Sequence, residues 1–317
     1  MQRTVTVAGS DELIVCADGY RLSARSFAPA PEMDDGMIAV IAPATGAKAS
    51  YYWRYGAYLA SARFRAVVAD YRGAGRSAPP GSPRALRHLP VRWHHWGTLD
   101  LDAVIGWALR QAGAEGRLVV VGHSFGGLAA CLAPAAGAVS RLLMVGSQHA
   151  HWPDYAPDQR LRMLWRWHLV MPAMATVVGY FPGQRLGWLE DLPRGVALDW
   201  ARGHRDLGRT IGRADRNVLE RSARLAFDVL AVAATDDPFA TQVAMDRALS
   251  YLPAANKERC LIDPAAVGVD RIGHLGLFHD QFRDTLWPLS AQWLRGHSPT
   301  CPARAVGQVP PRLRSGQ

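Results

Sequence analysis

Residues 119–134 read VVVGHSFGGLAACLAP, a run of valines followed by a glycine-rich turn and then a helical pattern. The turn holds one serine, Ser124, between Gly122 and Gly126 in a G-x-S-x-G arrangement. A residue at the tip of a strand-to-helix turn has strained backbone angles, and side chains two positions before and after it would collide with the turn. This stretch therefore predicts a buried strand that ends in a sharp turn presenting a hydroxyl group.

The alternation of patterns around this turn predicts the fold class. Apolar runs typical of buried strands alternate with helical patterns through short connections. The predicted strands lie at 37–43, 65–70, 117–122 and 141–147, followed after a gap by 227–234 and 258–262. Asp18 and Gly19 predict a hairpin turn between two further strands near the N-terminus. We expect an α/β fold with a mostly parallel central sheet flanked by helices.

The alternation stops between residues 148 and 225, which predicts an insertion. This segment shows helical patterns, prolines and five of the eleven tryptophans, with no good strand candidate. We predict a core formed by residues 1–147 and 226–296, a helical cap at 148–225 and a flexible tail at 297–317.

A serine nucleophile needs a base and a carboxylate that orients the base. In folds with this strand-turn-helix element, these residues follow the serine in the order acid, then histidine, on loops after later strands. Asp236 and Asp237 directly follow the predicted strand 227–234. The loop pattern and the proline after it favour Asp237 over Asp236, and we expect the other aspartate to cap the next helix.

Three histidines follow Ser124 outside the insertion: His274, His279 and His297. His274 lies in the glycine-flanked segment RIGHLGLFH after the last predicted strand, where its ring can reach the edge of the sheet. His279 is expected at the surface or in an interface, and His297 in the tail. The sequence therefore favours His274 as the base.

An acyl-transfer reaction also needs two donors for the oxyanion. One is expected to be the backbone N–H of Phe125, the residue after the nucleophile. The second is expected from the loop after strand 37–43, where the sequence leaves Ala44 and Thr45 as equal candidates. His123 is expected to be a packing residue, and DYRGAGRS (70–77) a structural turn.

Several further segments resemble a poorly characterised bacterial family of predicted α/β-hydrolases. The resemblance extends over roughly residues 38–295 and includes IAPATGAKASYYWRYGAYLA, DYRGAGRS, GHSFGG, GSQHAHWPDY, GYFPGQRLGWLEDLPRGVALDWARG, DDPFAT and GHLGLF. It implies the α/β-hydrolase fold with a helical cap and a triad of Ser124, Asp237 (or Asp236) and His274. The family implies no substrate, and the segment DWARGHRD lacks an aromatic expected near Gly203.

The composition of the chain limits the kinds of binding partner and cofactor that we expect. The formal net charge is +9, but the basic residues are nearly all arginines scattered along the chain, so we expect no nucleic-acid partner. The four cysteines (Cys16, Cys131, Cys260 and Cys301) lie far apart and lack the spacing of a zinc site, so we expect no metal. Such a pattern favours reduced thiols and therefore a cytoplasmic location. We also expect no cofactor. The N-terminus lacks a secretory h-region, and no apolar stretch is long enough to span a membrane.

These residues favour a serine hydrolase that cleaves a carboxylic ester or thioester. Tryptophans and methionines of the predicted cap favour a small-molecule substrate with a hydrophobic acyl group. The basic, amphipathic segment RLRMLWRWHL (160–169) could touch a membrane, but we do not expect membrane contact. An acyltransferase with the same triad and a non-catalytic ligand-binding protein remain the alternatives.

Overall fold

The continuous apolar runs of the sequence form the central strands of a sheet. Helices cover both faces of this sheet, so the side chains of these strands are buried on both sides. The computed structural model describes residues 9–112, 116–212, 216–298 and 301–302. Its strands are β1 (Ser10–Val15), β2 (Arg21–Phe27), β3 (Ile38–Ala42), β4 (Arg65–Ala69), β5 (Leu118–His123), β6 (Val139–Val145), β7 (Tyr180–Phe181), β8 (Leu192–Pro193), β9 (Asp228–Ala234) and β10 (Asn256–Ile262).

The main sheet has eight strands in the order β1-β2-β4-β3-β5-β6-β9-β10. Strands β4 to β10 of this order run parallel, and β1 and β2 join the edge as an antiparallel hairpin. The Asp18–Gly19 turn forms as predicted, with Gly19 at φ 83° and the Asp18 carboxylate accepting from the Tyr20 amide. The expected mostly parallel α/β sheet is therefore present.

Helices cover both faces of this sheet. The α-helices are α1 (Trp53–Ser61), α2 (Asp102–Ala112), α3 (Phe125–Leu132), α4 (Arg160–Met163), α5 (Met171–Val178), α6 (Arg194–Ala201), α7 (Leu207–Ile211), α8 (Arg216–Ala223), α9 (Gln242–Leu249) and α10 (Leu286–Leu294). Successive side chains of a strand point to opposite faces, so Val120 packs in one buried cluster with α2 and α3. Val119 and Val121 pack in the other, with α1 and α10. The sequence pattern of residues 96–113 predicts a helix that ends at Gly113, and Gly113 itself lies outside the described residues.

The parallel arrangement brings four loops to one edge of the sheet. The loops after β3, β5, β6 and β9 all leave from the carboxyl ends of neighbouring strands. Ligands of open α/β sheets bind outside these carboxyl ends. The four loops carry Thr45, Ser124, Gln148 and Asp237 in that order.

The segment between β6 and β9 is mainly helical, with one difference from the sequence prediction. Tyr180 and Phe181 pair with Leu192 and Pro193 as a two-stranded antiparallel sheet where no strand was expected. A two-residue strand carries too few residues for a period of two to be detected. A π-helical segment, Leu164–Val170, joins α4 to α5 into one long helical element.

Two ion pairs fix this inserted segment to the rest of the chain. Asp199 of α6 is buried, pairs with the Arg92 guanidinium and accepts from the Trp93 amide at 3.0 Å. Asp154 pairs with Arg247 of α9. Both carboxylates are almost fully buried, so removing one partner would leave an unpaired buried charge.

The cysteines correct one expectation. Cys260 of β10 and Cys301 form a disulfide with their Cα atoms 5.7 Å apart, whereas Cys16 and Cys131 are free and buried. Reduced thiols were therefore wrongly predicted for this pair. The two residues are 41 positions apart in the chain, and only the fold brings them together. Most of the predicted tail 297–317 lies outside the described residues, but Cys301 is anchored to the sheet.

The segment DYRGAGRS forms a structural turn. The two carboxylate oxygens of Asp70 accept from the amides of Ala49 and Arg76, at 2.7 and 2.9 Å.

Within the described ranges, none of the helices is both long and apolar enough to cross a bilayer.

Candidate active site

The turn after β5 holds Ser124 in the backbone conformation that its neighbours require. Ser124 has φ 54° and ψ −125°, and α3 begins at the next residue, Phe125. A Cβ atom on Gly122 would lie 2.3 Å from the backbone of α3, and one on Gly126 would lie 2.3 Å from the Ala42 carbonyl oxygen. Glycine is therefore required at both positions. This is the geometry of a nucleophile elbow.

Asp237 and His274 form a hydrogen-bonded pair at the same edge of the sheet. His274 Nδ1 lies 2.8 Å from Asp237 Oδ2, and the Phe239 and Ala240 amides donate to Oδ1 at 2.8 and 3.0 Å. Burial disfavours the charged carboxylate, but His274 and these amides outweigh it and hold the pKa of Asp237 below its ordinary value. The Phe239 ring also packs against the His274 ring, with centroids 4.7 Å apart.

Asp236 has a different position from the one expected. It does not cap α9, whose N-cap is Thr241. Instead its two carboxylate oxygens accept from the Ile272 and Gly273 amides at 3.0 and 2.9 Å. Asp236 therefore fixes the loop that carries His274.

The other two histidine candidates lie elsewhere. His279 is exposed and its ring packs 6.0 Å from that of Tyr51. His297 is also exposed and hydrogen bonds to the Gln292 carbonyl. In the described part of the chain, only His274 of the three contacts Asp237.

The oxyanion candidates are distinguished by one hydrogen bond. The Ala44 amide donates to the Tyr52 hydroxyl at 2.9 Å, so it is already engaged. Among the described residues, the Thr45 amide has no acceptor, and the Thr45 hydroxyl accepts from Trp93 Nε1 at 2.8 Å. Phe125 is the first residue of α3, and its amide has no acceptor within the helix.

His123 links this loop to the loop of His274, a role that the sequence did not reveal. The Tyr52 hydroxyl accepts from the Ala44 amide and also lies 2.7 Å from His123 Nδ1. His123 Nε2 carries the ring proton, because it lies 2.9 Å from the His274 backbone carbonyl, which can only accept, and the Tyr52 hydroxyl therefore donates to Nδ1. Burial, and then the neighbouring His274, lower the pKa of His123 to about 3, so the ring is neutral.

Gln148 is a second polar residue that sequence reasoning missed. The Ala150 amide donates to its Oε1 atom, which directs Nε2 toward Ser124 Oγ at 3.5 Å. Among the described residues, no hydrogen bond joins Ser124 Oγ to His274. The His274 ring lies beside that of His123, with the two ring centroids 5.1 Å apart. Such bonds are often long in a site without substrate.

A column of stacked aromatic rings connects the elbow to the inserted segment. The Trp93 ring lies 3.9 Å from that of Phe125 and nearly parallel to it. Trp200 stacks on Trp93 at 6.1 Å, and Trp167 stacks on Trp200 at 5.1 Å. Trp93, in the segment VRWHHW (91–96), thus packs against Phe125, the residue that follows Ser124.

Comparisons with known proteins agree with the fold described above. The family model of the alpha/beta hydrolase fold matches residues 39–179. The chain is similar to the structure of a soluble variant of monoglyceride lipase from Saccharomyces cerevisiae, with 17% identity, 95% of this chain and 98% of that chain covered, and a TM-score of 0.65. It is also similar to an esterase from Exiguobacterium antarcticum (16% identity, 90% and 100% covered, TM-score 0.55). An esterase from Pyrococcus furiosus is a third match (14% identity, 93% and 92% covered, TM-score 0.55).

No curated protein sequence matches the chain significantly. At these identities the structural matches show the fold. Together with the family-model match and the strand order, they show that the chain has the α/β-hydrolase fold.

Proposed function

We propose that the chain is a serine hydrolase that cleaves a carboxylic ester or thioester through an acyl-enzyme. The proposal rests chiefly on the 2.8 Å contact between His274 Nδ1 and Asp237 Oδ2, beside a serine at a strained elbow. That contact leaves His274 Nε2 as the atom that takes a proton. The similarity to a lipase and to esterases supports the same reaction class.

In the first half-reaction, Ser124 Oγ attacks the carbonyl carbon of the substrate while His274 Nε2 accepts the hydroxyl proton. The buried Asp237 carboxylate stabilises the imidazolium that forms. Collapse of the tetrahedral intermediate breaks the bond to the alcohol or thiol, which leaves with the proton from His274. Water then repeats the sequence on the acyl-enzyme and releases the carboxylic acid.

The oxyanion is assigned to the backbone amides of Phe125 and Thr45. Thr45 is preferred to Ala44 because the Ala44 amide is engaged by Tyr52. A donor that already has a partner would have to break that bond before it could stabilise the developing charge.

The substrate class follows from the aromatic side chains near the triad. Phe239 packs on His274, and Trp93 packs on Phe125. With residues 148–225 acting as a cap, Trp167 and Trp200 continue this apolar environment. Such surroundings favour a small-molecule substrate with a hydrophobic acyl group.

The cytoplasmic location remains a prediction with less support than the sequence offered. It rested on reduced thiols, whereas disulfides persist mainly in oxidising compartments. The Cys260–Cys301 bond removes that argument.

Labelling with a fluorophosphonate probe tests the proposal directly. Wild-type protein is expected to label, and Ser124→Ala to lose labelling completely. Ser222→Ala is the matched control, because Ser222 is also a buried serine but bonds to the Cys131 carbonyl at 2.7 Å, away from the triad. Folded wild-type protein that fails to label, or Ser124→Ala protein that still labels, would contradict the assignment.

A series of p-nitrophenyl esters of rising acyl length then tests the substrate class. Turnover is expected to increase from acetate to medium-length chains. Addition of alcohol or thiol acceptors separates hydrolysis from acyl transfer, since a transferase would form the new ester or thioester in preference to the free acid.

A further inference from the structure

The long helical element of the inserted segment carries two opposite apolar rows. The inner row, Met163, Trp167, Met171 and Ala175, is buried at a spacing of four residues. The outer row is exposed at the same spacing and consists of Leu161, Trp165, Leu169, Ala173 and Val177. Its four large side chains are 77%, 59%, 53% and 86% exposed, in chain order.

The helix geometry keeps the outer row in line. In an α-helix, residues four apart drift by about 40° around the axis. The π-helical segment Leu164–Val170 has wider turns, with i→i+5 hydrogen bonds, and offsets this drift. The row extends about 24 Å along the helix. A helix that is apolar on both faces requires a second apolar environment besides the protein core.

The charges beside the outer row have one sign. Arg160, Arg162 and Arg166 lie on the first two turns, and residues 159–178 contain no aspartate or glutamate. The nearest acid in the sequence is Asp158, which precedes the helix. The outer side of this helical element is thus apolar, and the charged residues of the element are cations at its first two turns.

We propose that this outer row docks the protein on an anionic lipid surface. Tryptophan favours the boundary between headgroups and acyl chains, and leucine and valine favour the acyl region. Arginines at the edge of such a helix pair with anionic headgroups, at about fivefold in affinity per residue. A parallel two-fold contact with a second copy is disfavoured, because it would bring six arginines together with no acid from the same helix.

The exposed fractions of the outer-row side chains are the reason for proposing a membrane contact where the sequence led us to expect none. The sequence segment 160–169 is equally consistent with a helix whose leucines and Trp165 are buried. In the structure Trp167 instead turns inward onto Trp200, while Trp165 two residues earlier faces outward. The inference goes beyond the proposed reaction and does not depend on it.

Vesicle sedimentation tests the proposal with the full-length protein. The vesicles contain either phosphatidylcholine alone or an equal mixture of phosphatidylcholine and phosphatidylglycerol. We expect binding to the mixed vesicles, weaker binding to phosphatidylcholine, and a decrease with added salt. Leu161→Gln/Leu169→Gln is expected to bind the mixed vesicles at least about tenfold more weakly.

The matched control is Leu13→Gln/Val15→Gln on the edge strand β1, where the two side chains are 60% and 57% exposed. This control should bind like the wild type, and Arg162→Gln should bind the mixed vesicles about fivefold more weakly. Hydrolysis of a short soluble ester should be unchanged in every variant. A protein that binds vesicles but hydrolyses no ester would contradict the proposed reaction and leave the proposed lipid contact intact.

Three results would overturn the proposal. The first is no binding of wild-type protein to either vesicle. The second is equal loss of binding in the β1 control. The third is a dimer in solution that Leu161→Gln/Leu169→Gln dissociates while vesicle binding is absent, which would assign the row to a second copy of the chain.

Discussion

Tyr52 and His123 are joined by a 2.7 Å hydrogen bond that links two loops of the candidate site. At one end Tyr52 holds the amide of Ala44, and at the other His123 holds the carbonyl of His274. All the groups are buried or nearly so. The loop of the proposed oxyanion donor and the loop of the proposed base are therefore held at a fixed separation by two side chains that do not touch the reacting atoms.

This linkage predicts a specific pattern in variants of His123. His123→Leu removes both hydrogen bonds and is expected to lower kcat by about 10- to 100-fold with little change in KM, because the base and the oxyanion donors are misplaced. His123→Gln can still accept from Tyr52 and donate to His274, and should restore most of kcat. Kinetics and fluorophosphonate labelling rates of the two variants, measured well below their Tm, check this. Equal activity in His123→Leu and wild type would show that His123 only fills space.

The two neighbouring aspartates should differ sharply. Asp237→Asn is expected to lower kcat by about 10⁴, because the imidazole loses the charge and the acceptor that orient it. Asp236→Asn removes one carboxylate oxygen from the Ile272 and Gly273 amides and should cost about tenfold or less. A larger loss in Asp236→Asn than in Asp237→Asn would exchange the two roles.

Gln148 is expected to assist the nucleophile. Gln148→Leu removes the Nε2 donor from Ser124 Oγ and should lower kcat by about 2- to 10-fold. Gln148→Glu should cost more, since a carboxylate oxygen would accept the Ser124 proton in competition with His274. Burst kinetics with a p-nitrophenyl ester separate an effect on acylation from one on deacylation. Full activity in Gln148→Glu would exclude Gln148 from the site.

The neutral state of His123 predicts a pH dependence of stability. The pKa is about 3 in the folded protein, against about 6.5 in the unfolded chain, so the unfolded state binds more protons between these values. The contribution of neutral His123 is complete above about pH 6.5 and is lost as the pH falls toward 3.

The difference in unfolding free energy between wild type and His123→Gln should therefore shrink by roughly 1 kcal/mol per pH unit below about 6.5. Urea unfolding at several pH values measures it. Burial also lowers the pKa of His149, to about 4. Because His149 is present in both proteins, its effect on the unfolding free energy is the same in each and cancels in the difference. A difference that does not vary between pH 7 and 5 would contradict a buried neutral imidazole.

The disulfide predicts a thiol count and a loss of stability. Denatured protein kept from reductants should titrate two thiols, Cys16 and Cys131, and all four after reduction. Cys301→Ser opens a loop of 41 residues and is expected to cost at most about 4 kcal/mol of unfolding free energy on chain-entropy grounds. Four free thiols in unreduced protein would restore the expectation that the sequence suggested.

The sequence by itself determined those features whose cause is local. Buried parallel strands are continuous apolar runs, and the elbow needs glycine two positions to either side of Ser124, so both can be recognised in one stretch of chain. The succession of the strands along the chain and the position of Asp237 after β9 follow from the same pattern. The candidate base His274 was found because only three histidines follow Ser124 outside residues 148–225.

Tertiary structure alone decided the contacts between distant segments. The preference for Thr45 over Ala44 as the proposed oxyanion donor depends on a Tyr52 hydroxyl from another element, and the contacts of Asp236 depend on a loop 36 residues later. Cys260 and Cys301 meet because the chain returns to β10. The direction in which Trp165 and Trp167 face depends on which side of one helix packs against the core. Hydrogen bonds and burial are properties of neighbours in space, and a linear pattern of residues contains them only where those neighbours are also close in the chain.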